Sequence, residues 1–444
     1  MPIRKIAAKI TPEAFVRFML ALAAVWFLAV HPFLNFSGWL TPGLRPFLWD
    51  FPPYYAGAVA AKHGLWEDLY PRVKTEVAQG RIQQAAVSDY SPRLLAVCPE
   101  INARDRYIYP PPLALLLWPL AYVDFQTAGA HVWPILSMAA LFGMAFFSSR
   151  IHRLLRGRAT YTEGWIVAAI LFFTIFGHTS VAEGNATPFL GGLIAFAAYA
   201  WMRGWQTGVG AAMIPMLLFK PVGLGWCPLL LIRRPRWRTL FTLAALTALL
   251  NGAVLALGSV AVYRQFFEIM PKLTTPAGIG IAAQIFNALG VYPAKLYLAL
   301  SLLLCLALYY GYWKRAVVDR YAALLAALAG TVAVYCLFSF AVWPHYFPNY
   351  LYFPFLGWLA WEGLQARGGW RTAILGGMLF GYALTCDWMV RGTLTRGFGQ
   401  QYRDFYCEYF SHPLLAVFFP LFFLTVALRR LYFKSSPTAF SPPH

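Results

Sequence analysis

Long apolar stretches, separated by short basic or Gly/Pro-containing breaks, recur along most of the chain. Those nearing 20 residues match the helix length that crosses roughly 30 Å of hydrocarbon, and a helix satisfies its own backbone groups there. They predict membrane helices near residues 14–33, 128–149, 163–181, 186–203, 206–220, 221–232, 239–258, 293–313, 321–342, 346–364, 372–390 and 412–428, the fifth and sixth being short. The apolar run at residues 110–123 is too brief for a comfortable span and reads as re-entrant or interfacial. The expected fold class is therefore all-α: a polytopic transmembrane helix bundle of about 12 spans, with a long first outside loop at residues 34–127 that contains interfacial helices. No repeat or linker divides the chain. Residues 1–434 read as one domain, and the Pro/Ser-rich residues 435–444 as a disordered tail.

Composition supports this reading, because a chain that is 60% hydrophobic and only 12% charged cannot keep a soluble surface wetted. A net charge of +19 would suggest nucleic acid in a soluble protein. Here the positives cluster at residues 4–9, 150–158, 233–238, 314–320 and 429–434, between the apolar runs. If residues 110–123 do not cross, all five clusters face the same side, which is the positive-inside pattern. The charge then reports topology and membrane lipids, not a nucleic-acid partner. Both termini are expected in the cytoplasm, and the N-terminal basic-then-apolar stretch reads as an uncleaved anchor of a bacterial inner-membrane protein. The six cysteines lack metal-site spacing, and Cys98 and Cys407 fall in two outside loops where a disulfide is chemically allowed.

On this topology nearly all the notable polar residues share the outside. Asp50 lies in the aromatic and proline-rich stretch Trp49, Asp50, Phe51, Pro52, Pro53, Tyr54, Tyr55. Such a carboxylate suits a positioned base, and it equally suits the N-cap of a helix that Pro52 and Pro53 open. Lys220, at a turn between two short apolar segments, puts an ammonium at headgroup depth, where it can hold a phosphate or merely snorkel. Arg264, Lys272, Arg391 and Arg403 are further outside cations, and His345 follows Trp343 and Pro344 at a helix boundary. Glu183 and Asn185 share a tight turn, as acceptor ligands or helix caps. Tyr54, Tyr55, Tyr109 and Trp343 offer rings to sugar faces. With cations available and no acidic cluster beyond Glu67 and Asp68, no metal or other cofactor is expected.

Asp50, Phe51, Tyr54, Tyr55 and Gly57, then Gly64, Leu69, Tyr70 and the Tyr109, Pro110, Pro111 stretch, resemble the first-loop signature of glycosyltransferase family 87. Gly184 and Asn185, Lys220 and Pro221, and Trp343 with His345 continue the likeness in order. The chain departs from the family pattern in carrying Glu183 and Gly184 before Asn185, where a Gly-Gln pair is usual. The resemblance implies a GT-C fold and a polyprenyl-phosphate mannose donor bound in an outward-facing cavity. It further implies Asp50 as the base that activates an acceptor hydroxyl of a lipid or glycan, and inversion from a β-linked donor to an α-linked product. It assigns Lys220, with His345, to the donor phosphate. The competing class is a transporter or flippase of lipid-linked sugars. Such proteins favour pseudo-symmetric halves and charges at mid-membrane depth, and the sequence displays neither.

Overall fold

The computed structural model describes residues 50–70, four short strands between 73 and 87, residues 90–101, 107–156, 184–231, 236–273, 289–315, 348–385 and 412–433, and positions 285, 328, 330 and 401. The predicted spans at 14–33 and 163–181, most of that at 321–342, and the tail lie outside the described residues.

Local sequence dictates the first helix, α1 (Phe51–His63). Pro52 and Pro53 supply the fixed φ of a first turn, and Gly64 ends the helix in the left-handed region at φ 67°. Every residue from Phe51 to Ala60 is buried, so α1 is apolar all round and has to be enclosed. After α2 (Pro92–Val97), the enclosure comes from α3 (Pro111–Leu117) and its 3-10 continuation Trp118–Tyr122. The Tyr55 hydroxyl donates to the Val123 carbonyl at 2.7 Å, and the Lys62 ammonium to that of Ala121 at 2.8 Å. Position 57 is glycine because a Cβ there would collide with the Tyr107 ring. The α3 segment is about 20 Å long, too short for a straight crossing of roughly 30 Å.

Among the described residues the fold is helical apart from two small antiparallel ladders in the first loop. There β1 (Val73–Lys74) pairs with β4 (Ala86–Val87), and β2 (Val77–Ala78) with β3 (Arg81–Ile82). The ladders are an addition to the all-α expectation. The first loop also ends earlier than residue 127, because Asp124 accepts the Thr127 N–H at 2.9 Å and opens a helical run that continues into α4 (Trp133–Arg156).

The bundle continues with α5 (Thr187–Arg203), α6 (Gln206–Phe219), α7 (Cys227–Leu231), α8 (Trp237–Leu257), α9 (Val260–Leu273), α10 (Val291–Arg315), α11 (Leu356–Gln365), α12 (Gly369–Thr385) and α13 (His412–Leu428). Three stretches among the described residues, Phe125–Leu155, Trp237–Leu257 and Lys295–Lys314, are long and apolar enough to cross a membrane. Two expectations need correction. The segment at 221–232 is not one helix: Pro221–Trp226 is a 3-10 turn, since Gly223 and Gly225 propagate an α-helix poorly, and only α7 follows. The expected loop near 259–292 contains α9, which buries Val262 and Ile269 and exposes Val260, Arg264, Phe267 and Glu268 at helical spacing.

Helix α5 packs between α4 and α6, and α6 packs on α8. Thr239 donates to the Gln206 carbonyl at 2.9 Å, and Arg236 lies over the Trp201 ring at 4.3 Å, so α6 and α8 start at the same end. That end is opposite to the start of α5, which puts the start of α5 and the end of α6 together. Also on α4, Gly357 presses on Ser148: its N–H donates to Ser148 Oγ at 3.0 Å, and its carbonyl accepts from His152 Nδ1 at 2.9 Å.

Candidate active site

Residues far apart in sequence meet where α1 and α5 begin and α6 ends. Asp50 stands immediately before α1, in the N-cap position, yet its side chain makes no capping hydrogen bond. The cause is covalent. An N-cap carboxylate takes the N–H of the second or third helical residue, and here those are Pro52 and Pro53, which have none. Asp50 is therefore released from its own helix, and its Oδ2 accepts instead from Asn185 Nδ2, 135 residues away.

Asn185 is almost fully buried, at 2% exposure. Its Oδ1 accepts the Thr187 N–H at 2.8 Å, a short-range turn that starts α5 just ahead of Pro188. A main-chain N–H can only donate, so this bond fixes the amide with oxygen toward α5 and nitrogen toward Asp50. Gly184, at φ 70°, makes the reversal that brings Asn185 there.

Lys220 ends α6 in an extended conformation (φ −151°, ψ 140°) before the 3-10 turn that begins at Pro221. Its ammonium lies 5.6 Å from the centroid of the Tyr109 ring, within cation–π range. Burial pushes the Asp50 carboxyl above its ordinary range, while the Lys220 ammonium and the Asn185 amide pull it back down.

Aromatic rings line this group. The Tyr109 hydroxyl donates to the Tyr54 hydroxyl at 3.0 Å, and the Tyr109 carbonyl accepts from Tyr70 at 2.6 Å. The Tyr54 ring stacks on Trp133 at 5.0 Å and meets Phe219 edge-on at 5.5 Å. Trp133, Phe219 and Thr187 were not singled out from sequence. Only the Asn-x-Thr-Pro spacing at the start of α5 carried a signal for one of them.

The other expected site residues are placed differently. Tyr55 turns away toward Val123 and the Phe125 ring, 5.3 Å off. Arg264 is exposed on α9, which docks on the first loop through Gln265 Nε2 to the Glu67 carbonyl at 3.1 Å and Phe266 against Tyr70. Glu183, Trp343, His345, Arg391 and Arg403 lie outside the described residues, as does the side chain of Lys272. Cys98 is a free, buried thiol that donates to Glu100 at 3.4 Å; burial and that carboxylate push it up to about 12, and Cys407 lies outside the described residues.

One partly buried carboxylate, one ammonium and an aromatic wall are equipped to take up a proton and to hold an anion beside it. No curated protein matches this chain. A model of glycosyltransferase family 87 matches residues 107–340, more than half of the sequence and the part that carries Tyr109, Asn185 and Lys220. The chain belongs to glycosyltransferase family 87.

Proposed function

We propose that this glycosyltransferase moves mannose from a polyprenyl-phosphate donor to a lipid or glycan acceptor on the extracytoplasmic face, with inversion at the anomeric carbon. The observation that carries the reading is the Asp50 carboxylate, freed from capping, partly buried, and placed within the field of Lys220. Asp50 removes the proton of the acceptor hydroxyl as its oxygen attacks the anomeric carbon. The bond from that carbon to the phosphate oxygen breaks, and polyprenyl phosphate leaves with the electron pair. A β-linked donor gives an α-linked product. The raised proton affinity of Asp50 helps, because a base is more effective the closer its pKa lies to the working pH. Lys220 answers the charge of the leaving phosphate, with His345 and Arg391 as further partners, and no metal is needed for this step. The mannosyl donor and the bacterial inner membrane rest on the family resemblance and the basic clusters.

The test uses purified protein in lipid nanodiscs, with an envelope lipid extract as acceptor. Label is expected to move from polyprenyl-phosphate mannose and not from GDP-mannose. Transfer from the nucleotide sugar alone would overturn the donor class. A preference for polyprenyl-phosphate glucose would overturn the sugar.

A further inference from the structure

The turn before α5 does more than start a helix. We propose that Asn185 is a positioning residue for the reaction: it holds Oδ2 of Asp50 and thereby presents Oδ1 to the acceptor hydroxyl. The proposal rests on Asp50 being the base.

Three observations carry it. The Asn185 amide has no rotational choice, since the Thr187 N–H claims Oδ1 at 2.8 Å and leaves Nδ2 to face Asp50. Asp50 has no local anchor, since the two prolines remove the N–H groups it would cap. Among the described residues, Asn185 is the one hydrogen-bond partner of the Asp50 side chain. An unanchored carboxylate beside an ammonium would swing toward it. The amide opposes that swing and keeps one oxygen directed at substrate.

The groups that face Asp50 are few among the described residues. Lys220 comes from the end of α6 and Asn185 from the start of α5, and the Tyr109 ring, whose hydroxyl donates to Tyr54, lies within cation–π range of Lys220. Loss of the Asn185 donor removes one of the two influences that lower Asp50, so the carboxyl moves further up. The base must be ionised to work, and the acid limb of the rate profile moves up with it.

The experiment compares Asn185→Ala, Asn185→Ser and Asp50→Asn in full-length protein in nanodiscs, with labelled polyprenyl-phosphate mannose. Serine at 185 can still accept the Thr187 N–H and start α5, while its short side chain falls away from Asp50. Both Asn185 variants are expected to lose about 10- to 100-fold in kcat, as misplacement of a catalytic group by about 1 Å does. The donor KM should stay within about twofold of wild type, and the acid limb should move to higher pH. An unmoved acid limb, with only a lower thermal midpoint, overturns the proposal and leaves Asn185 a helix-start residue. A raised donor KM with an unchanged acid limb overturns it in favour of substrate binding. Loss of folded protein in the serine variant also overturns it. If Asp50→Asn keeps wild-type turnover, the base reading falls and positioning falls with it; if only the Asn185 profiles fail, the base reading stands.

Discussion

Asp50 and Glu362 are both carboxylates taken in among aromatic rings, at opposite ends of the bundle, and they are treated differently. Glu362 is fully buried, with Arg429 Nη1 at 3.2 Å from one oxygen and Arg430 Nε at 3.4 Å from the other. Each guanidinium also lies over an indole, Arg429 over Trp370 at 5.3 Å and Arg430 over Trp361 at 5.0 Å. Asp50 receives one amide hydrogen bond and the field of one lysine, and it stays partly open. A carboxylate gripped at both oxygens by permanent cations is a structural ion pair. It clamps α11 to the end of α13. A carboxylate held at one oxygen by a neutral donor keeps its proton affinity and an oxygen to use. On the proposed function, the kind of partner rather than burial alone marks the reactive acid.

The sharpest way to break this contrast is Asp50→Asn, which keeps shape and removes the base. Turnover should fall by about 10²- to 10⁴-fold with donor binding and thermal midpoint retained, measured by radiolabel transfer and donor titration. Glu362→Gln should do the reverse. It leaves two buried guanidiniums without their counter-charge and costs about 3–5 kcal/mol of stability. Thermal unfolding would register the loss, while turnover per folded molecule stays at the wild-type level. Lys220→Met comes next. Loss of a charge-assisted contact of about 1.5–3 kcal/mol should weaken the donor roughly 10- to 100-fold. Because Lys220 lowers the Asp50 carboxyl, its removal should also shift the acid limb of the kcat profile to higher pH. The smallest effect is expected of Tyr54→Phe, which deletes the acceptor for the Tyr109 hydroxyl and costs about 1 kcal/mol. That loss should appear in the thermal midpoint and hardly in turnover.

Much of the helical layout was legible because it follows from local chemistry. Apolar runs near 128–149, 186–203, 206–220, 239–258, 293–313 and 412–428 all coincide with helices, and the Pro-Pro start and Gly64 stop of α1 could be read directly. Helix α9 is hidden from a search for apolar runs because Arg264, Glu268 and Lys272, recurring every fourth residue as its polar face, lower the mean hydropathy below that of a span. The same two prolines that announce α1 also forbid Asp50 from capping it, a chemical consequence of the sequence that weighs against the cap. The bond between Asp50 and Asn185 could not be read at all. It joins positions 135 residues apart, and no local propensity records a contact that only packed helices create. Lys220 was found from its place between two short segments, but its seat over Tyr109 depends on how the first loop folds under it.

The brevity of the α6 hairpin has a consequence for the bilayer. Helix α6 rises about 21 Å before it turns at Lys220, and the 3-10 turn with α7 descends about 20 Å, against a hydrocarbon layer of roughly 30 Å. A hairpin that stops short draws the nearest leaflet down over its tip. With Lys220 at the outer headgroup level, as proposed here, lipid phosphates beside it would sit in a dimple, and the proposed polyprenyl-phosphate donor could slide its headgroup in sideways, with no need to lift it out of the membrane.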